Sequence, residues 1–203
     1  MKKVELVYRA VMEGYIRRHN EFTQKGLARD LGISLGGVNK AVSQLAAINA
    51  VRVDRRSFSV IAIDRLVMYW ATHRNLEKDV VLRLATGIDV GEIEGSLPEG
   101  IAFTAYSAYK RLYANTPADY GEVYVYATPR AVDLIAHRFR SEAGFPNLFV
   151  LRADAMLELE IAEHRLAKGC APVSQVLVDL WNIRSWYAKE FYDALYKMIV
   201  GEG

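Results

Sequence analysis

One cysteine, five prolines and four histidines are all that this 203-residue chain holds of the residues that cross-link, break or metallate a fold. A single thiol, Cys170, excludes an internal disulfide and a multi-cysteine zinc site, and it suits a reducing compartment. His19, His73, His137 and His164 are scattered, with no His-x-His or His-x-x-x-His spacing, so no metal site is expected. Long apolar runs are lacking too: Leu66–Ala71 and Leu148–Leu151 fall far short of the ~20 residues that cross a bilayer. Glu5 and Arg9 interrupt the stretch that a signal peptide would keep apolar. A cytoplasmic protein without a membrane partner is expected. With no Walker-type loop and no Gly-x-Gly-x-x-Gly, no cofactor is expected either.

What is present is a core-forming composition, 52% hydrophobic and 25% charged, in a chain long enough for one large domain or two small ones. The net charge of +2 conceals an asymmetry. Residues 1–65 carry 12 Lys/Arg against 6 Asp/Glu, a net +6, while residues 66–203 carry 14 against 18, a net −4. A basic module joined to an acidic one fits a nucleic-acid binder with a second domain, because phosphate neutralisation supplies most sequence-independent DNA affinity.

The basic part has the matching periodicity. Val4, Val7, Tyr8, Val11, Tyr15 and Ile16 give an amphipathic helix over 4–19, followed by a loop at 20–22. Thr23 is placed to cap a short helix, 24–31, with Leu27, Ala28 and Leu31 inward, and Gly32 ends it. Ser34 is placed to cap a third helix. Its Leu35, Val38, Val42, Leu45 and Ile48 share one face, and Gly37, Lys40, Ser43 and Gln44 lie on or near the other. Two strand-like runs, 50–53 and 58–63, flank the polar turn Asp54-Arg55-Arg56-Ser57. The order from Thr23 to Leu45, with "Leu-Gly-Ile-Ser" at its centre, resembles the winged helix-turn-helix of bacterial repressors. The expected DNA-contacting residues are Thr23, Gln24, Lys25, Ser34, Gly37, Asn39, Lys40, Ser43, Gln44, Arg52, Arg55 and Arg56. Lys40, Ser43 and Gln44, with Asn39 at the margin, are expected to read bases, and Arg55 and Arg56 to hold phosphates or the minor groove.

Residues 64–76 read as helical, and 64–78 is expected to link a winged helix over 1–63 to a mixed α/β domain over 79–203. There, 80–84, 101–104, 122–127 and 149–151 read as strands, and 107–113 and 130–140 as helices with Pro129 in a first turn. Residues 173–180 read as strand or helix alike. A closing helix over 185–200 turns Trp186, Phe191 and Leu195, with Met198 or Ile199, to one side.

Candidate chemistry in this part fails residue by residue. Gly95-Ser96 resembles the opening of a nucleotidyltransferase site but lacks the two carboxylates that hold magnesium. Asp119 and Glu122 resemble a metal-dependent nuclease, yet Tyr124 stands where a lysine would help activate water. Cys170 lacks an identifiable orienting partner and reads as structural. The tyrosines 106, 109, 113, 120, 124 and 126 read as half-buried packing rather than a binding surface. No enzyme is expected.

Three stretches, Ile101–Tyr113, Glu122–Pro129 and Ala171–Trp181, together with the amino-terminal motif, resemble the AbiEi family of type IV toxin-antitoxin antitoxins. Ala105 stands where the family pattern has glycine. The resemblance implies an α+β protein whose winged helix binds its own promoter and represses it. It also implies a second domain that counteracts a nucleotidyltransferase-like toxin without a stable complex. Double-stranded DNA is the expected partner and a homodimer is possible; the alternative is a winged-helix repressor whose second domain senses a small ligand.

Overall fold

The computed structural model describes residues 1–201. It is a mixed α and β structure with two separate sheets. Contacts divide it into two units, Met1–Arg74 together with the chain's end from Tyr196, and Asn75–Leu195.

In the first unit, α1 (Lys3–Ile16) buries Val7, Tyr8, Val11 and Met12, one stripe at helical spacing. It ends short of His19, and Arg18 takes a left-handed φ of 64°. α2 (Gln24–Asp30) and α3 (Leu35–Ala47) follow, with a left-handed Gly32 (φ 62°) in the turn between them. The expected loop at 20–22 contains a two-residue strand, β1 (Glu21–Phe22), which with β2 (Val51–Val53) and β3 (Phe58–Val60) makes an antiparallel sheet in the order β1-β3-β2. Phe22 opposes and stacks on Phe58, and Asn20 fixes the edge with two 3.0 Å bonds to the Val60 backbone.

A linker is expected over 64–78. Its helical part, α4 (Ile63–His73), belongs to the first unit and buries Leu66, Val67, Trp70 and Ala71. The fully buried Trp70 brings an N–H that needs an acceptor, and Glu5 supplies it at 3.3 Å. Glu5 also pairs with Arg74 at 3.4 Å, both side chains being almost wholly buried. The carboxylate that interrupts the apolar beginning of the sequence thus joins α1 to α4. The boundary falls after Arg74 because α4 has its apolar stripe committed to this unit.

The second unit is built on a four-stranded sheet in the order β4-β7-β6-β5, with β4 (Val80–Leu84), β5 (Ile101–Thr104), β6 (Val123–Ala127) and β7 (Leu148–Arg152). β6 and β7 run parallel, and the two outer pairings are antiparallel. Every residue of β6 is buried, as for a strand covered on both faces. The sheet is accompanied by α5 (Val90–Ser96), α6 (Ala105–Tyr113), α7 (Pro129–Arg138), α8 (Ala155–Ala162), α9 (Val173–Asn182) and the first part of α10 (Ala188–Val200), whose residues from Tyr196 group with the first unit. Pro129 occupies the first turn of α7, and Thr128 caps it at 3.3 Å. The ambiguous segment at 173–180 is helical. Its residues from Ser174 to Leu180 are all buried, the polar Ser174, Gln175 and Asp179 included. α10 starts at Ala188 rather than Ser185. Phe191 and Leu195 are fully buried, whereas Trp186 is 78% exposed and Met198 is exposed. Trp186 precedes the helix and so escapes its inward stripe.

Candidate nucleic-acid interface

Three separate segments of the first unit converge on an open cleft of about 560 Å³: the start of α2 (Thr23, Gln24, Lys25), the start of α3 (Leu35), and the turn Asp54–Ser57 between β2 and β3. Local chemistry sets each of them. Thr23 accepts from the Gly26 N–H at 3.0 Å, and Ser34 accepts from the Gly37 N–H at 3.2 Å. These caps end the extended entry segments and begin both helices at fixed angles. A Cβ on Gly26 would lie 2.8 Å from the Thr23 hydroxyl, so a larger residue there would make that hydroxyl shift. The turn is closed by the Asp54 N–H donating to the Ser57 carbonyl at 2.9 Å, leaving Arg55 and Arg56 exposed at its tip.

The cleft thus brings together five of the expected residues, Thr23, Gln24, Lys25, Arg55 and Arg56, and adds three that were not expected, Leu35, Asp54 and Ser57. Ser34 and Gly37 act as cap and capped amide. Asn39, Lys40 and Ser43 lie exposed on α3 outside the cleft, and the Asn39 amide donates to Gln24 at 3.2 Å, tying α3 to α2. Arg52 is exposed beside Asp54, with an Nε–Oδ2 distance of 3.7 Å.

Gln44, also on α3, has a partner within the first unit. It is half-buried, and its Oε1 accepts the Tyr8 hydroxyl at 2.7 Å. Burial, the largest cause, and the neighbouring Tyr69 raise the Tyr8 phenol well above the ordinary tyrosine range, so it keeps the proton that it donates. Gln44 therefore joins α3 to α1. Leu35 is a correction, 46% exposed at the first position of α3, where it projects past the core that its stripe-mates Val38, Val42 and Leu45 enter.

Chemically, this face presents Lys25, Arg55 and Arg56 with Gln24 and Ser57 as neutral donors and acceptors and Asp54 as the one acid of the cleft lining. Such a set suits a polyanion that approaches two helix starts and a turn at once.

The second unit contains a buried polar cluster. Asp179 on α9 is fully buried and accepts from Thr104 (2.8 Å), Tyr126 (2.7 Å) and Gln175 (2.8 Å), joining β5, β6 and α9. Nothing in the sequence marks Asp179 as special, since its partners lie 53 and 75 residues away on the strands. Tyr106, Tyr109, Tyr124 and Tyr126 are buried, and Tyr113 and Tyr120 are half-buried. Glu122 accepts from Tyr124 (3.2 Å) and Ser185 (3.3 Å), and the Tyr106 and Ser185 hydroxyls are 2.5 Å apart. Burial pushes the Cys170 thiol up to about 11, so at neutral pH it is not a thiolate nucleophile. Ala105, at the junction of β5 and α6, holds a left-handed φ of 51°, a conformation natural to glycine. A separate cleft of about 490 Å³ is lined mainly by apolar groups, among them Trp181, Ile183, Trp186 and Tyr192.

Among the described residues, no group of three or more His, Cys, Asp or Glu side chains is placed to hold a metal ion. No helix among them is long and apolar enough to cross a membrane. Neither a family model, nor a curated protein, nor a solved structure matches the chain.

Proposed function

We propose that the chain is a sequence-specific DNA-binding transcriptional regulator whose first unit is a winged helix-turn-helix, with α2 as its scaffold helix, α3 as its recognition helix and the Asp54–Ser57 turn as its wing. The observation that carries this reading is the convergence of the two capped helix starts and the basic turn on one open cleft. A core requirement explains none of its cations, because Lys25, Arg55 and Arg56 are all exposed. The net +6 of residues 1–65 is the charge that a phosphate backbone would neutralise. The protein is read as having no enzymatic activity and as working in the cytoplasm.

On the sequence resemblance, the regulator is an antitoxin of the AbiEi type. It represses its own promoter through the first unit and counters a nucleotidyltransferase-like toxin through the second, without a stable complex. The test is binding of the full chain to its own upstream DNA over a salt series. A steep loss of affinity with salt is expected, and salt-independent or absent binding removes the reading. Co-expression with a neighbouring toxin gene tests the second role, and a second unit that fails to restore growth removes it.

One observation favours a second reading, a repressor whose second unit senses a small ligand: the apolar cleft bearing Trp181 and Trp186 could receive one. A ligand that releases the protein from DNA and shifts its tryptophan fluorescence would favour it.

A further inference from the structure

The cleft of the first unit contains one side chain that a phosphate-binding surface does not call for. Leu35 is 46% exposed, and it shares the cleft with Lys25, Arg55 and Arg56. An isolated leucine on a surface needs no explanation, but one that shares an open cleft with three cations at the start of a helix is well placed to meet an apolar group carried by a polyanion. Among base edges in the major groove the only such group is the C5-methyl of thymine. Resting on the reading of this face as the DNA interface, we infer that Leu35 is a specificity-determining residue that recognises thymine methyl groups.

Two further observations suit that role. Gly36, the next residue, is exposed in the helix, has no left-handed φ, and a Cβ built on it meets nothing within 4 Å. The fold therefore makes no demand for glycine at this position, although glycine weakens a helix relative to alanine. Its bare backbone allows a groove wall to come close beside Leu35. Gln44, meanwhile, is engaged by Tyr8, and Asn39 is bonded to Gln24, which lessens the hydrogen-bonding readout available from the middle of α3 and leaves more to its first turn.

The test uses the full chain and a duplex selected by it from a random pool, compared with the same duplex in which deoxyuridine replaces thymidine. This exchange removes only the C5-methyl groups. Wild type should bind the deoxyuridine duplex more weakly by about fourfold for each methyl group contacted, or about 15-fold for two. Leu35→Ala should bind the two duplexes within about twofold of each other, which separates a direct contact from any effect of the methyl groups on DNA shape. Gly36→Ala should raise the thermal midpoint and yet bind both duplexes more weakly. Equal wild-type affinity for the two duplexes, an undiminished thymine preference in Leu35→Ala, or full affinity in Gly36→Ala would overturn the inference while leaving DNA binding intact. Failure to select any duplex overturns the interface reading together with it.

Discussion

Lys25, Arg55 and Arg56 stand in solvent around an open cleft, whereas Thr104, Gln175 and Asp179 are sealed inside the second unit. Both groups are clusters drawn from separate segments, but they answer to opposite physics. The exposed cations cost little to hold and contribute little to stability, because water solvates them whether or not the chain is folded. The buried set must be satisfied internally, since each unmet donor or acceptor carries its desolvation penalty into the folded state. Substitutions at the two clusters should therefore differ in kind: a change in the buried set alters folding, while one at the exposed cations alters what the protein binds.

The sharpest way to break this contrast is Asp179→Ala. Three donors, from Thr104, Tyr126 and Gln175, would lose their carboxyl acceptor in a site without solvent. At roughly 1–2 kcal/mol for each stranded donor, the loss is about 3 to 6 kcal/mol. Urea denaturation should show this destabilisation in the transition of the second unit. An equally large loss on replacing Arg55 or Arg56 would erase the distinction.

The opposite test is Arg55→Ala with Arg56→Ala. Both residues are exposed at the tip of the turn, so unfolding should be unchanged. If each holds one phosphate, the slope of log affinity against log salt should fall in magnitude by about 1.8. The deficit relative to wild type then widens about 60-fold between 1 M and 0.1 M salt. A lower melting temperature with an unchanged salt slope would assign the turn to folding rather than binding.

The two units also differ in how far the sequence exposes them. Capping and polar faces make α2 and α3 legible: Thr23 and Ser34 cap as expected, and Val38, Val42 and Leu45 are buried as expected. The two-residue β1 is too short to have a period, and its evidence lies in Phe22 meeting Phe58 across 36 residues. In the second unit the strands are visible because β-branched and aromatic residues concentrate in them, but α9 is ambiguous, because the apolar run Val176-Leu177-Val178 within it reads equally as a buried strand. α5 and α8 also escape a reading by periodicity, and their clearest marks are Asp89 and Asp154, which cap them. The Asp179 cluster is illegible for a further reason: it depends on tertiary pairing of ordinary residues.

Gln44 lies between the two kinds of polar group and sharpens the rule. Exposure of one side of α3 suggests base reading, but the Tyr8 hydroxyl at 2.7 Å makes Gln44 part of the framework. Gln44→Ala should cost about 1 kcal/mol of stability through the lost hydrogen bond. The preference for DNA sequence should be retained, and sequence selection by the variant checks this. A relaxed preference with unchanged stability would return Gln44 to the base-reading set.

The smallest effect expected is at Trp186, and it is the most informative about burial. The sequence pattern groups it with Phe191 on one helical face, so equal losses would be expected from both. Phe191 is fully buried and meets the rings of Tyr106, Tyr109 and Tyr120, which makes Phe191→Ala cost about 3 to 5 kcal/mol. Trp186 lies ahead of α10, 78% exposed, with an edge contact to Tyr187 at 5.6 Å. Removal of so exposed a ring leaves no internal cavity, and Trp186→Ala should change stability by no more than about 0.5 kcal/mol. Denaturant midpoints of the two variants decide the matter. A Trp186 loss comparable to that of Phe191 would mean that the ring is covered in solution, and would direct attention to whatever fills the apolar cleft it lines.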